Sequence, residues 1–154
     1  MLNNSELCTT AGPCSSTDTG GGNIVLGGGL PDPDNPLRPG GNAKGSGGTY
    51  NTSGTSDTTG VQLGSLGVQS SGPQLYSAGG DISIRGEMTA STADSWMAGI
   101  AIVGGTEIRS GEGKIYILGE AKGAGGNNSD GTMEFNAWGG TTNIQSKSTA
   151  SDAV

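Results

Sequence analysis

Apolar residues recur at every second position in a series of short runs: Val61 and Leu63, Ile82 and Ile84, Ile100 and Ile102, Ile115 and Ile117, Met133 and Phe135. On a strand, that alternation puts the apolar side chains on one face. Glycine-rich corners such as Gly104-Gly105 and Gly111-Glu112-Gly113 separate the runs, and glycine allows a sharp bend without a Cβ clash. Each run is too short to build a packed sheet alone. Each has the right length for one side of a β-solenoid coil, with the next coil lying directly on it.

The sequence supplies that next coil. Gly80-Asp81-Ile82-Ser83-Ile84-Arg85-Gly86-Glu87 and Gly113-Lys114-Ile115-Tyr116-Ile117-Leu118-Gly119-Glu120 match as G-x-I-x-I-x-G-E, 33 residues apart. The segment Gly104 to Ser110 returns as Gly139 to Ser146, one residue longer. Two full units (60–87 and 99–120) and a truncated third (131–146 onward) follow, with Leu66 and Val68 as the middle strand of the first and Gly72-Pro73 as a turn. Such a period marks a repeat architecture whose units bury their apolar faces only by stacking. Stacking predicts ladders, Ile82 over Ile115 and Ile84 over Ile117, at parallel-sheet spacing. The expectation is an all-β chain: a parallel β-helix over 60–154, preceded by a low-complexity, loop-rich segment, 1–59, of low order.

The pattern GI-x-I-x-GGT-x-I-x-S-x-x-G-x-I-x-I-x-G resembles the β-helical body of large secreted bacterial adhesins: filamentous haemagglutinin-like proteins of two-partner secretion, and similar autotransporter passengers. It covers about residues 60–146. The resemblance implies a right-handed parallel β-helix, an outer-membrane transporter serving the parent protein, and a stalk that is secreted or held at the cell surface. It specifies no ligand, and Asn35-Pro36-Leu37 matches the Asn-Pro-Asn-Leu motif of the family's secretion domain only superficially. No functional residue carries over.

Composition agrees with a thin core. Hydrophobic residues make up 31% of the chain and aromatic ones 4%, while glycine contributes 32 of 154 residues; this is too little apolar material for a compact globule of this length. A net charge of −7 argues against a nucleic-acid partner, because phosphate binding needs a basic stripe. The start, Met1 to Leu7, has neither the basic nor the apolar run of a signal peptide, and no stretch approaches a transmembrane helix. A stalk without its own export signal, ending in an uncapped repeat, is expected to be a piece of a longer exported protein.

Within 1–59, Asn23-Ile24-Val25-Leu26 is the one strand-like run (strand 23–26). Prolines at 31, 33, 36 and 39 and a Gly/Ser/Thr-rich tail read as loop or linker. Cys8 and Cys14 can close a small disulfide loop around Gly12-Pro13, and otherwise remain thiols. With no histidine and no second cysteine pair, neither a zinc site nor a Ser/His/Asp or Cys/His catalytic set can form. Asp32-Pro33-Asp34-Asn35 reads as a Pro/Asp turn rather than a calcium loop, and no phosphate-loop motif occurs. Catalytic, metal and cofactor-binding residues are therefore all expected to be none.

Two polar insertions, 88–98 and 121–130, recur at the same point of successive units. Insertions so placed emerge on one face of a solenoid, often the binding face. Trp96, Met97, Asn127 and Asn128 are the candidate ligand contacts there, since flat apolar rings stack on sugars. Glu87 and Glu120 occupy equivalent positions, about 5 Å apart if stacked, near the separation a retaining glycosidase uses. Lying past glycine corners, they are expected to face solvent beside Arg85 or Lys122. The expected function is non-catalytic attachment to a glycan or protein on a host or bacterial surface, with end-to-end self-association through exposed sheet edges. The alternatives are a β-helical carbohydrate-active lyase or hydrolase, and an ice-binding-like flat surface, whose Thr-x-Thr ladder is not found at the repeat period.

Overall fold

The computed structural model describes residues 6–9, 19–29, 34, 39–46, 59–64, 72–90, 98–123, 133–136 and 141–147. Among them are eleven strands and no helix: β1 (Glu6–Cys8), β2 (Ile24–Leu26), β3 (Ala43–Ser46), β4 (Thr59–Leu63), β5 (Gln74–Tyr76), β6 (Ile82–Ala90), β7 (Ala98–Val103), β8 (Glu107–Gly111), β9 (Ile115–Gly123), β10 (Met133–Asn136) and β11 (Asn143–Ser146). They form three sheets, and every strand pairing is parallel. Sheet A runs β4-β7-β10 and sheet B runs β1-β5-β8-β11. In sheet C, β6 pairs with β2 and β3 through one edge and β9 through the other.

The registers follow the repeat. Ile82 lies opposite Ile115 and Ile84 opposite Ile117. Val61 and Leu63 face Ile100 and Ile102, which in turn face Met133 and Phe135. In sheet B, Ile108 lies between Leu75 and Ile144. A single cluster of buried residues draws on all three sheets: Ile24, Ile82, Ile84 and Ile115 from C, Leu63, Ile100 and Ile102 from A, and Leu75 and Ile108 from B.

Between sheets B and C, each corner leans on the next. Ser77 and Ser110 each donate their hydroxyl to the carbonyl three residues on, of Gly80 and Gly113, closing a short turn. Ser77 also donates to the Ser110 carbonyl at 3.2 Å, and Thr9 donates to that of Ser77 at 2.8 Å. One step further, the Lys114 amide donates to Asp81 Oδ1 (2.8 Å) and the Asp81 amide to Asn23 Oδ1 (2.7 Å). Backbone donors that a bend would strand are thus satisfied by the neighbouring layer.

Three expectations change. The strand paired with β8 in the first unit is Gln74–Tyr76; Leu66 and Val68 lie outside the described residues. Among the described residues of segment 1–59, β1 and β3 stand beside the expected β2 and extend sheets B and C. Finally, Gly86 and Gly119 are not corners. The strands β6 and β9 run through them to Ala90 and Gly123, so the first residues of both insertions belong to sheet C. Gly86 is required by proximity: a Cβ there would lie 2.1 Å from the Gly99 carbonyl oxygen, where sheet A abuts sheet C.

The apolar columns set the stability. Ile100, fully buried and flanked on both sides, is predicted to cost about 2–5 kcal/mol as Ile100→Ala. Val25→Ala, at a residue 42% exposed, should stay within about 0.5 kcal/mol. Denaturant midpoints of the two variants check the order.

Candidate functional site

One polar constellation stands on sheet C, where Lys44, Glu87 and Glu120 lie in register across β3, β6 and β9. Glu87 is only 7% exposed. Lys44 Nζ approaches Glu87 Oε1 at 3.3 Å. Asn42 Nδ2 donates to Glu87 Oε2 at 3.1 Å and also to a carboxylate oxygen of Glu120. The other end of the same amide accepts from Arg85 Nε at 3.0 Å, while Arg85 also donates to the Pro39 carbonyl at 2.9 Å. Asn42 therefore links one cation to two stacked carboxylates, using both ends of its side chain.

This corrects the expectation that Glu87 faces solvent. The segment 39–44 lies against this part of sheet C, and Arg85 is engaged by Asn42 and Pro39. The side chain of Lys122 lies outside the described residues. Chemically the group is a bracing network. Two like charges one strand spacing apart are held by a shared donor and a lysine, which offsets their repulsion.

A second cluster lies on sheet B. Tyr76 and Arg109 are register partners, as are Gln74 and Glu107. The Tyr76 hydroxyl donates to Glu107, and Arg109 pairs with the same carboxylate. The guanidinium carbon of Arg109 sits 5.8 Å from the Tyr76 ring centroid, within reach of a cation–π contact. Its Nε is buried without a hydrogen-bond partner.

Of the residues singled out in the sequence, Trp96, Met97, Asn127, Asn128 and Cys14 lie outside the described residues. Cys8 is disulfide-bonded, and no described cysteine is free. Among the described residues no group of three His, Cys, Asp or Glu could hold a metal ion, and no helix is long and apolar enough to cross a membrane. Sequence reasoning missed Asn42, Lys44 and the Tyr76–Glu107–Arg109 set. The available signal was Arg85 and Glu87 at strand spacing, which places both on the face of β6 opposite Ile82 and Ile84. Comparison with known protein families, curated proteins and solved structures found no match.

If Asn42 is the brace, Asn42→Ala should cost about 1–3 kcal/mol by leaving charged partners unsatisfied. Lys44→Ala, at a side chain 73% exposed, should cost less than about 1 kcal/mol. Equilibrium denaturation that reverses this order would contradict the assignment.

Proposed function

We propose that the three sheets close into a parallel β-solenoid, and that the chain acts as a structural, non-catalytic segment of a secreted or cell-surface adhesin. The observation that carries the first half is the recurring sheet order. From β4 onward the chain visits A, B, C, then A, B, C, then A, B, and each visit pairs in parallel with the one before. Parallel pairing needs a crossover between partners; here the crossover from β6 to β9 passes through β7 in sheet A and β8 in sheet B. The shared apolar cluster gives the three sheets one interior to enclose.

The attachment role rests on the resemblance to filamentous haemagglutinin-like repeat bodies, and on where the insertions are rooted. Ala90 and Gly123 are register partners, so the insertions within 88–98 and 121–130 leave sheet C from adjacent strands. Both lead back into sheet A, at Ala98 and Met133. β3 also pairs beside this part of β6, which roots the connection from Ser46 to Thr59 alongside them. Three connections from one end of one sheet give a line of attachment points, and specificity for a surface glycan or protein resides there.

Two measurements test the two halves separately. Small-angle scattering of the purified chain should fit a short closed stack of three to four coils, about 15–20 Å along its axis; a curve that no such stack fits would remove the solenoid. Binding of labelled chain to bacterial and host cell surfaces should be abolished when residues 91–97 and 124–130 are replaced by Gly/Ser, with scattering unchanged. Glycan cleavage lost in Glu87→Gln or Glu120→Gln would transfer the assignment to a carbohydrate-active enzyme.

A further inference from the structure

The polar group on sheet C holds an amine, an amide, a carboxylate that touches both, and a guanidinium on the amide oxygen. Glu87 Oε1 lies 3.3 Å from Lys44 Nζ, and its Oε2 accepts from Asn42 Nδ2 at 3.1 Å. Arg85 Nε donates to Asn42 Oδ1 at 3.0 Å. A brace does not require that order of contacts; acyl transfer from an amide to an amine does. It needs a nucleophile, a group that moves protons from it to the leaving nitrogen, and a donor on the oxygen that gains charge.

We propose that Lys44 and Asn42 condense to an intramolecular isopeptide bond, with Glu87 as the proton carrier and Arg85 as the oxyanion donor. Lys44 Nζ passes a proton to Glu87, and the neutral amine adds to Asn42 Cγ. A Cγ–Nζ bond forms and the carbonyl π pair moves to Oδ1, facing Arg85. Glu87 delivers its proton to Nδ2 and takes a second one from Nζ. The oxyanion then re-forms the carbonyl, the Cγ–Nδ2 bond breaks, and ammonia leaves, taking that second proton as ammonium. An ammonium and an amide react, and an ammonium and an amide result, so no oxidant or further reactant is needed.

The register permits the approach. Ala43 pairs with Gly86 and Lys44 with Glu87, so Asn42 and Lys44 flank Ala43 and share the outward face. Alternate strand positions lie about 6.6 Å apart, a span that the flexible four-carbon stem of lysine bridges. The Lys44 side chain is 73% exposed, so little packing resists its swing from Glu87 to Asn42. Arg85, Glu87 and Glu120 hold the Asn42 amide through its oxygen and its nitrogen. Hydrogen bonds to an amide run near its plane, so these leave unused the faces of Cγ, across which a nucleophile arrives. The closed loop contains only Ala43 and removes little chain entropy. Its effect is chemical: Lys44 loses its charge, and the Asn42 amide is tied to β3. The inference needs only the pairing of β3 with β6 and stands apart from the attachment role.

Intact mass of the full chain, with its disulfide reduced, tests this after prolonged incubation in alkaline buffer, which supplies the neutral amine. The folded chain should be lighter by one ammonia. Trypsin should leave the Lys44–Gly45 bond uncut, since it does not cleave after an acylated lysine. Lys44→Arg, at an exposed side chain, should keep both the fold, checked by circular dichroism, and the full mass. Glu87→Gln should slow the loss about a hundredfold or more; if that variant does not fold, Lys44→Arg carries the test. Full mass in the folded natural chain overturns the isopeptide bond. So does ammonia loss that survives in Lys44→Arg, as an asparagine succinimide would, or equal loss in denaturant, where the register is gone. A folded Glu87→Gln chain that reacts as fast overturns the part assigned to Glu87.

Discussion

The in-register parallel pairing of isoleucines between successive layers is the constraint on which the rest depends. Strand side chains alternate, so a slip of one residue would turn a whole apolar row outward and bring polar residues in. Ile82 beside Ile115 and Ile100 beside Val61 and Met133 therefore fix more than their own contacts. Once these registers are set, Asp81 meets the Lys114 amide and Ser77 meets the Ser110 carbonyl. The corners are consequences of the columns. They in turn satisfy backbone groups that would otherwise oppose so many sharp bends.

At Gly60, Gly86 and Gly99 sheets A and C meet by backbone. Gly60, Gly86 and Gly99 each lie where a Cβ would fall within 3 Å of main-chain atoms from a neighbouring strand. That closeness lets sheet C continue past the contact instead of ending in a corner. Met88, beyond the contact, is fully buried, and Asn42 and Lys44 stand on the same stretch with Glu87. The polar network and the roots of the insertions thus share one cause, the glycine crossing.

Much of this was legible where alternation was strong. The pairs Ile82/Ile115, Ile84/Ile117, Val61/Ile100 and Ile108/Ile144 could be placed from spacing alone, because two or more apolar residues or a shared motif marked each strand. β5 was missed because Gln74-Leu75-Tyr76 has only one inward residue, and period two cannot be read from one point. β3, Ala43-Lys44-Gly45-Ser46, has no large apolar residue at all, and its place comes from pairing with β6. Gly86 and Gly119 looked like corners because glycine serves both bends and close approach, and only the position of Gly99 separates the two. The segment 139–146, one residue longer than 104–110, carries a register shift between Gln145 and Ser146, which puts Ser146 opposite Gly111.

The hydrogen bonds from Lys114 to Asp81 and from Asp81 to Asn23 all point one way along the molecule. Each layer accepts from the one after it through a carboxylate or amide oxygen, and lysine has no such oxygen. If the chain grew by gene duplication, the unit containing Asp81 could be copied with its connector intact. A copy of the unit containing Lys114 would arrive without one, so the layer after it would be joined at that corner by contacts of the kind that Ser146 and Lys147 make with the Gly113 and Gly111 carbonyls.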